Sequence, residues 1–430
     1  MDSPVVLPTA ASFSSPRIAG RDDGRPRMWD RQRRSMHHPR GDFFNRSTPV
    51  RTFAFVIGTR PEVIKVAPII RRLQNTDWAI VRIVTSGQQS DLLENTLAEF
   101  GLKPDVAIRH KRNCHTPALL ASQLIRRLDH FIGEVQADCI LAQGDTTTAY
   151  AASVAAFYRK VAFVHVEAGL RTADLESPFP EEFHRRAIAV SASLHYAPTS
   201  AAAQNLIKEN VSRDKIVVSG NTVIDSLLEV AAAKPAPRAD FPALRTILLT
   251  AHRRENFGEP LRDAFTAIRA FVDLTPDVAV YFPVHPNPNA REAAYEILSG
   301  HPRIQLVEPL GYRDMVAAIQ NAWCVVTDSG GLQEEAPALG KPVLLLRDVT
   351  ERPEAVASGV VELVGTSREA VFRALFELNR NPAKYARMAR PVFPYGDGHA
   401  SKRIVESLHR HFSMTPKMQT AEIIQLHRAS

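Results

Sequence analysis

The stretch TDSGGLQEEAPALGKPVLLLRDVTERPE, residues 327–354, decides how the chain is read. The apolar run Ala322–Val326 before it is short and ends in β-branched residues, as suits a buried parallel strand. Asp328 and Ser329 are turn and capping residues, and Gly330 and Gly331 let another backbone or a ligand approach without a Cβ in the way. Leu332–Leu339 has helical spacing, with Gly340 as its stop and Pro342 after it. A helix whose first turn carries Ser-Gly-Gly offers N–H groups and a positive dipole end, a natural seat for phosphate. Glu335, one turn in, is placed to accept hydrogen bonds from a ribose diol. An ordinary capped helix of an α/β domain explains the same residues, because short glycine motifs specify little alone.

Working outward, strand and helix alternate twice. The first run starts with strand Thr52–Ile57, the turn Gly58-Thr59-Arg60 and a helix opening at Pro61 and closing near Leu73. It continues with Ala79–Thr85, helix Leu92–Phe100, helix 117–135, strand Cys139–Gln143, helix 147–158, strand Val161–Val166, helix 182–192, strand Leu194–Ala197 and helix 200–209. Asn221–Val230 is the expected crossing, and Ala232–Phe241, rich in Ala and Pro, a surface loop. The second run begins at Thr246–Thr250, proceeds through strands Val278–Pro283, Ile304–Val307 and Trp323–Thr327, and ends with helix 367–379. Such alternation predicts doubly wound parallel sheets. The domains expected are a first Rossmann-like one over 51–220 and a nucleotide-binding one over 221–398, with helix 400–412 packing back on the first and a weakly patterned end over 414–430.

The chain has 430 residues, enough for two domains plus tails, with 45% hydrophobic and 23% charged residues. Residues 1–50 hold nine Arg and five Asp with no Lys or Glu, so they carry +4 of the net +7. The rest is too nearly balanced for a nucleic-acid binder. That segment lacks periodicity and is expected to be a disordered basic tail. A start at Met28 or Met36 is the second possibility; a transit peptide is disfavoured by the five Asp. Cys114, Cys139 and Cys324 are far apart and odd in number, which fits a reducing, cytoplasmic setting. No apolar run approaches the roughly 18 residues of a membrane span.

In a doubly wound fold, ligands bind at the carboxyl ends of the strands. Those addresses hold Arg60 and Lys65; Gly144, Asp145 and Thr146–Thr148; Glu167 and Arg171; Glu181, Glu182, His184 and Arg185; His252–Glu255; His285; the Ser-Gly-Gly turn; and Arg347 and Arg352. Taken singly, each has a structural explanation. Asp145 suits an N-cap for helix 147–158, Arg171 a salt bridge with Glu176 or Glu181, and His285 a packed loop position. Their shared address is what points to a site. Basic groups with a helix N-terminus suit a diphosphate, and Glu335 suits a ribose, so a nucleoside-diphosphate ligand is expected. No GxGxxG follows a strand, no GxxxxGK[ST] is present, and no HExxH, CxxC pair or other dense metal motif appears. Neither a cofactor nor a metal is therefore expected.

The segments GTRPEVIKVAP (58–68), QGDTTTAYAASVAAFY (143–158), HVEAGLRT (165–172), PFPEE (178–182), GNTVIDSL (220–227), HRRENFG (252–258), PVHPNP (283–288) and DSGGLQEEAPALGKP (328–342) together closely resemble the non-hydrolysing UDP-N-acetylglucosamine 2-epimerases. The resemblance runs from about Thr52 to about Leu408. It implies two Rossmann-like domains facing across a cleft in the glycosyltransferase-B arrangement, a homodimer, and interconversion of UDP-GlcNAc and UDP-ManNAc for cell-surface polysaccharide. By resemblance, Asp145, Glu167 and Glu181 are the acid/base carboxylates and His252 assists the departing phosphate. Arg60, Lys65, Ser329, Gly330, Gly331, Glu335 and Arg352 match nucleotide-binding positions, and Leu310 and Met315 match positions lining the base pocket.

Three departures stand out. Gln143 replaces a common His, His184 a common Asn, and Gln88-Gln89-Ser90 the usual Gln-His-Arg. The last lies where bacterial members hold a second, activating UDP-GlcNAc, so weak or absent activation is expected. It also leaves room for a modified substrate, a 3-acetamido or uronic acid UDP-sugar. A UDP-sugar glycosyltransferase shares the fold, but the three carboxylates would be in excess for it. A catalytically dead UDP-sugar sensor would not need them or His252.

Overall fold

Two runs of alternating strand and helix build two sheets in this computed structural model, which describes residues 49–88, 90–108, 116–172, 174–234, 241 and 243–414. Nearly all of the expected tail 1–50, most of the loop 232–241 and nearly all of 414–430 lie outside the described residues, as do Gln89 and Cys114. The first run comprises β1 (Arg51–Ile57), α1 (Arg60–Gln74), β2 (Ala79–Thr85), α2 (Ser90–Glu99), β3 (Val106–Ala107), α3 (Pro117–Val135), β4 (Cys139–Gln143), α4 (Thr147–Tyr158), β5 (Ala162–Val166), α5 (Glu181–Ser191), β6 (Leu194–Ala197), α6 (Ser200–Lys208), β7 (Ile216–Val218) and α7 (Thr222–Ala232). The second comprises β8 (Arg245–Thr250), α8 (Glu259–Leu274), β9 (Val278–Pro283), α9 (Pro288–Leu298), β10 (Ile304–Val307), α10 (Tyr312–Asn321), β11 (Ala322–Thr327), α11 (Leu332–Ala338), β12 (Val343–Leu345), α12 (Pro353–Ala357), β13 (Val361–Leu363), α13 (Arg368–Arg380), α14 (Pro382–Met388) and α15 (Ala400–Met414).

Both sheets are parallel and doubly wound. Their orders are β3-β2-β1-β4-β5-β6-β7 and β10-β9-β8-β11-β12-β13, within one compact unit. The order reverses between β1 and β4 in the first sheet and between β8 and β11 in the second. Those are the crevices where a parallel sheet opens to a ligand. The expected elements are present with ends shifted by a residue or two. The short strands β3 and β7, with β13, α12 and α14, have no counterpart in the sequence expectation, and the crossing at 221–230 is helix α7. Strands of two or three residues carry too little pattern for period-2 alternation to show.

Burial explains the elements. β1 and β4 hide Phe53, Phe55, Ile57 and Leu141 on one face and Ala54, Val56 and Ile140 on the other, so each reads as a continuous apolar run. Each large apolar side chain so buried contributes roughly 1.5–3 kcal/mol. α1 carries Pro68 in its interior, which removes the N–H that would bond the Ile64 carbonyl. Ser226 of α7 donates its hydroxyl to that carbonyl at 2.6 Å, so α7 docks where α1 is short of a donor. Val223, Ile224, Leu227 and Val230 of α7 lie in the core under the first sheet. α15 returns to the same core, with Phe412 edge-on to Phe53 at 5.2 Å. The two crossings touch: Asn221 N–H donates to the Tyr395 carbonyl at 2.5 Å, and Asp225 accepts from the N–H groups of Ala400 and Ser401, at 3.1 and 2.8 Å. Gly220 has φ +88°, and a Cβ there would sit 3.1 Å from the Gly396 Cα, so a larger residue would be strained and would crowd Gly396.

Glu62 closes the start of α1. Its carboxylate accepts from Thr59 N–H at 2.7 Å, from Gly58 N–H and from the Thr146 hydroxyl, joining the turns after β1 and β4. Burial pushes its pKa up to about 7, with those hydrogen bonds pulling the other way. The folded protein therefore keeps this proton to about pH 7, while the unfolded chain releases it near 4.5. Stability is full below the lower value and falls as pH rises through the window, by on the order of 3 kcal/mol from this group. Glu62→Gln, which keeps the acceptor and cannot ionise, is expected to match the wild-type melting temperature near about pH 5 and to exceed it by about pH 8. Parallel melting curves at both pH values, from thermal scans, would refute this.

Candidate active site

The crevices of the two sheets share one cleft of about 650 Å³. Turns after β1, β4 and β5, with the start of α5, form one wall. Turns after β8, β9, β10, β11 and β12 form the other. The thirteen residues given roles by the resemblance line it: Arg60, Lys65, Asp145, Glu167, Glu181, His252, Leu310, Met315, Ser329, Gly330, Gly331, Glu335 and Arg352; of the other strand-end candidates, Arg171, Glu182, His184 and Arg347 do not.

Asp145 follows β4. Its Oδ2 accepts from Arg185 Nε at 2.8 Å and Nη2 at 2.7 Å, while Thr146, not Asp145, caps α4 by accepting from Ala149 N–H at 3.1 Å. The capping explanation for Asp145 is thus replaced by an ion pair facing the cleft. His184, at the position where Asn is common, bonds the Asp145 carbonyl through Nδ1 at 2.8 Å and stacks on Tyr150 at 5.0 Å. Glu181 opens α5 and is half-buried at the rim. Its neighbour Glu182 is wholly buried, holding Arg185 and Arg186 and accepting from Thr172 N–H at 3.1 Å. Arg171 pairs with Glu209 at 2.7 Å, so neither expected partner, Glu176 nor Glu181, is used.

Glu167 is buried at the cleft floor. Lys65 Nζ donates to its two oxygens at 2.8 and 2.6 Å, Asn221 Nδ2 to Oε1 at 3.1 Å, and Gln143 Nε2 to Oε2. Burial alone would raise its pKa, but the Lys65 ammonium and the Arg352 guanidinium hold it below the ordinary value. Lys65, conversely, would be lowered by burial and is held above its usual value by Glu167 and Glu334.

The second wall is built on Asp328. Expected as a turn residue, it is instead fully buried and organises the turn after β8. It accepts from His252 N–H at 2.9 Å, Arg253 N–H at 2.9 Å and Asn256 Nδ2 at 3.3 Å, and it pairs with His252 Nδ1 at 3.2 Å. A His252 that gives its Nδ1–H to Asp328 presents Nε2 as its other nitrogen. His252 also stacks on His285 at 5.2 Å. A Cβ at Gly330 would lie 2.8 Å from Arg352 Nη1, so the guanidinium would have to shift from its present place. Arg352 Nε bonds Glu334 at 2.6 Å and Nη1 bonds Glu351 at 2.5 Å. Burial would raise the Glu351 pKa, but Arg352 and Arg347 lower it to about 2. Glu335 is less open than the sequence suggests, since its Oε1 accepts from the Tyr312 hydroxyl at 2.9 Å and burial raises its pKa to about 7. Arg60 Nη1 spans the cleft to the Leu310 carbonyl at 2.9 Å, which brings the turn after β1 against the Leu310–Met315 pocket.

Sequence reasoning missed Asn221, Glu334, Glu351 and Tyr312 as site residues. Glu334 and Glu351 stand beside residues it named, yet nothing local distinguishes a buried acid from an exposed one.

Residues 71–409 match the family model described as UDP-N-acetylglucosamine 2-epimerase. The Bacillus subtilis UDP-N-acetylglucosamine 2-epimerase is 45% identical over 83% of this chain and 94% of its own length. The crystal structure of the Neisseria meningitidis UDP-GlcNAc 2-epimerase bound to UDP-GlcNAc superposes with a TM-score of 0.80 at 39% identity, over 84% of this chain and all of that one. The Methanocaldococcus jannaschii enzyme in complex with UDP-GlcNAc and UDP gives 0.71 at 31% identity, over 84% and 99%. With the family model spanning most of the fold and relatives of this identity covering nearly their whole length, the chain belongs to the UDP-N-acetylglucosamine 2-epimerase family.

Proposed function

We propose that this protein is an isomerase that interconverts UDP-N-acetylglucosamine and UDP-N-acetylmannosamine by elimination and re-addition. One observation carries the assignment. Asp145 and Glu181 from the first half, and His252, Ser329–Gly331 and Arg352 from the second, line one cleft.

The hydrogen on C2 has no carbonyl beside it on the ring, so direct deprotonation is hard. When the C1–O bond breaks, its electron pair leaves with the β-phosphate oxygen of UDP, and positive charge develops at C1. A carboxylate takes the C2 proton, the C–H pair becomes the C1=C2 bond, and 2-acetamidoglucal remains beside UDP. Delivery of a proton to C2 from the other face, with return of the phosphate oxygen to C1, gives the epimer. Asp145, Glu167 and Glu181 are the acid/base carboxylates, with Asp145 and Glu181, on different loops, serving the two faces of C2. Arg352, Lys65, His252, Ser329 and the N–H groups of Gly330 and Gly331 stabilise the charge on the leaving diphosphate, the Ser329 N–H itself being given to Thr327 Oγ1 at 2.9 Å. Glu335 takes the ribose, and Leu310 with Met315 flanks the base.

Purified protein incubated with UDP-GlcNAc in heavy water is expected to yield UDP-ManNAc carrying deuterium at C2, read by proton NMR. A product that keeps its original C2 hydrogen sinks the elimination route.

A homodimer belongs to the same proposal. Exposed Phe157, Tyr158, Phe183 and Val190 on the adjoining helices α4 and α5 support it, and light scattering that returns the mass of one chain rules it out. So does a division into halves 51–220 and 221–398, with 400–412 returning to the first and tails at 1–50 and 414–430. Limited proteolysis that cuts within a sheet before the tails overturns that division. A cytoplasmic setting is supported by the buried unpaired thiols of Cys139 and Cys324; recovery of the protein outside the cytoplasmic fraction removes it.

A further inference from the structure

Beneath the cleft, one amide joins the two halves. Asn221 stands at the N-cap of α7, its Oδ1 accepting from Val223 N–H at 3.2 Å. Its Nδ2 donates to Glu167 Oε1 at 3.1 Å and to Glu334 Oε2 at 2.6 Å. Glu167 comes from the end of β5, and Glu334 from α11 of the second half. Each carboxylate has its own cation, Lys65 for Glu167 and Arg352 for Glu334, at 2.6 Å in both cases. The residues at stake are nearly or wholly buried, and Lys65 and Arg352 also line the cleft.

An incoming diphosphate must therefore compete with resident carboxylates for both cations, with Glu167 for Lys65 and with Glu334 and Glu351 for Arg352. Every bond that phosphate gains from Lys65 or Arg352 weakens one to Glu167, Glu334 or Glu351. Two like charges would then face each other across the join between the halves, each short of its cation. Asn221 is the group that contacts both.

We propose that Asn221 is a positioning residue of the reaction, tying Glu167 to Glu334 so that both keep their places while the diphosphate draws Lys65 and Arg352 toward itself. The proposal rests on the assignment of the cleft to a UDP-sugar. The choice of side chain is physically specific. A third cation here would itself bind the diphosphate and slow its return to C1. A hydroxyl has one hydrogen for two acceptors, whereas the amide nitrogen has two in a fixed plane. Gln143, which donates to the other oxygen of Glu167, completes the cradle with a second neutral donor. As the diphosphate claims Lys65, Glu167 holds a proton more readily. Loading the cleft thus strengthens it as a proton acceptor without moving it.

Two variants test this. Asn221→Ser keeps an N-cap acceptor but cannot bridge both carboxylates. It is expected to fold with a lowered melting temperature, because two buried carboxylates each lose a donor, and to lose about tenfold or more in kcat, with KM changed less than about threefold and the acid limb of the kcat pH profile displaced. Glu334→Gln removes one of the two carboxylate charges bonded to Arg352, Glu351 keeping the other. It is expected to bind UDP about threefold or more tightly than wild type, by calorimetric titration, while its kcat falls. A folded Asn221→Ser with wild-type kcat and pH profile overturns the proposal, as does a Glu334→Gln that binds UDP no more tightly than wild type. If Asn221→Ser does not fold, the UDP titration of Glu334→Gln decides alone. That titration needs no turnover. A wild-type protein that epimerises no UDP-sugar removes the functional assignment, whereas normal epimerisation with unchanged UDP affinity in Glu334→Gln removes only the tether.

Discussion

Asp145→Asn and Glu181→Gln are each expected to lower kcat for UDP-GlcNAc epimerisation by about a hundredfold or more, with little change in melting temperature. Both changes preserve size and remove the ability to carry a proton at the working pH. In Asp145→Asn the new amide would still offer its oxygen to Arg185, which now reaches Asp145 Oδ2 at 2.7 Å, so the ion pair becomes a hydrogen bond and the turn after β4 persists. Glu181 stands at the first position of α5, at the cleft rim, where no core packing depends on its charge. If the two groups serve opposite faces of C2, the variants also differ in isotope pattern. The one that removes the proton from UDP-GlcNAc loses deuterium uptake into substrate and product together. Rates within a few-fold of wild type in both variants, measured by coupled assay, would withdraw the proton-transfer roles.

Arg352→Leu is expected to be the most damaging single change in the cleft. Arg352 is 11% exposed in its side chain and Glu334 3%, so its loss leaves a buried carboxylate without its cation. Breaking such a pair from one side costs about 3–5 kcal/mol, a large share of a domain's net stability. UDP affinity should fall on the order of a hundredfold at the same time, because a charge-assisted partner of the diphosphate is gone. The double variant Arg352→Leu with Glu334→Leu separates the two effects. Replacing both members of a buried pair by apolar groups is often neutral, so the melting temperature should recover while UDP binding does not. Recovery of both, or of neither, in thermal scans and titration would show that Arg352 does not act on fold and ligand through separate contacts.

What the chain reveals by itself is what near neighbours encode. Apolar runs, capping residues and glycine or proline stops repeat locally, so the two alternating halves and the strand-end address of the cleft residues follow from them, Ser329–Gly331 and Asp145 included. The family motifs carried the family to which the chain belongs. Helix α7 escaped because Asn221–Val230 is both capped like a helix and placed like a crossing, and only its burial against α1 decides. β3, β7 and β13 escaped because two or three residues show no period. The pairing of polar groups was legible only in the folded chain. Lys65 and Glu167 are 102 residues apart, Asn221 and Glu334 113, Arg60 and Leu310 250. Arg171 bonds Glu209 and not the nearer acids, and Asp328 disappears from the surface to hold His252. A charged side chain looks the same in sequence whether water or another chain segment solvates it. Which one does so is set by the packing of distant elements, and that packing is what turns exposed-looking acids such as Glu167 and Glu334 into the buried floor of the cleft.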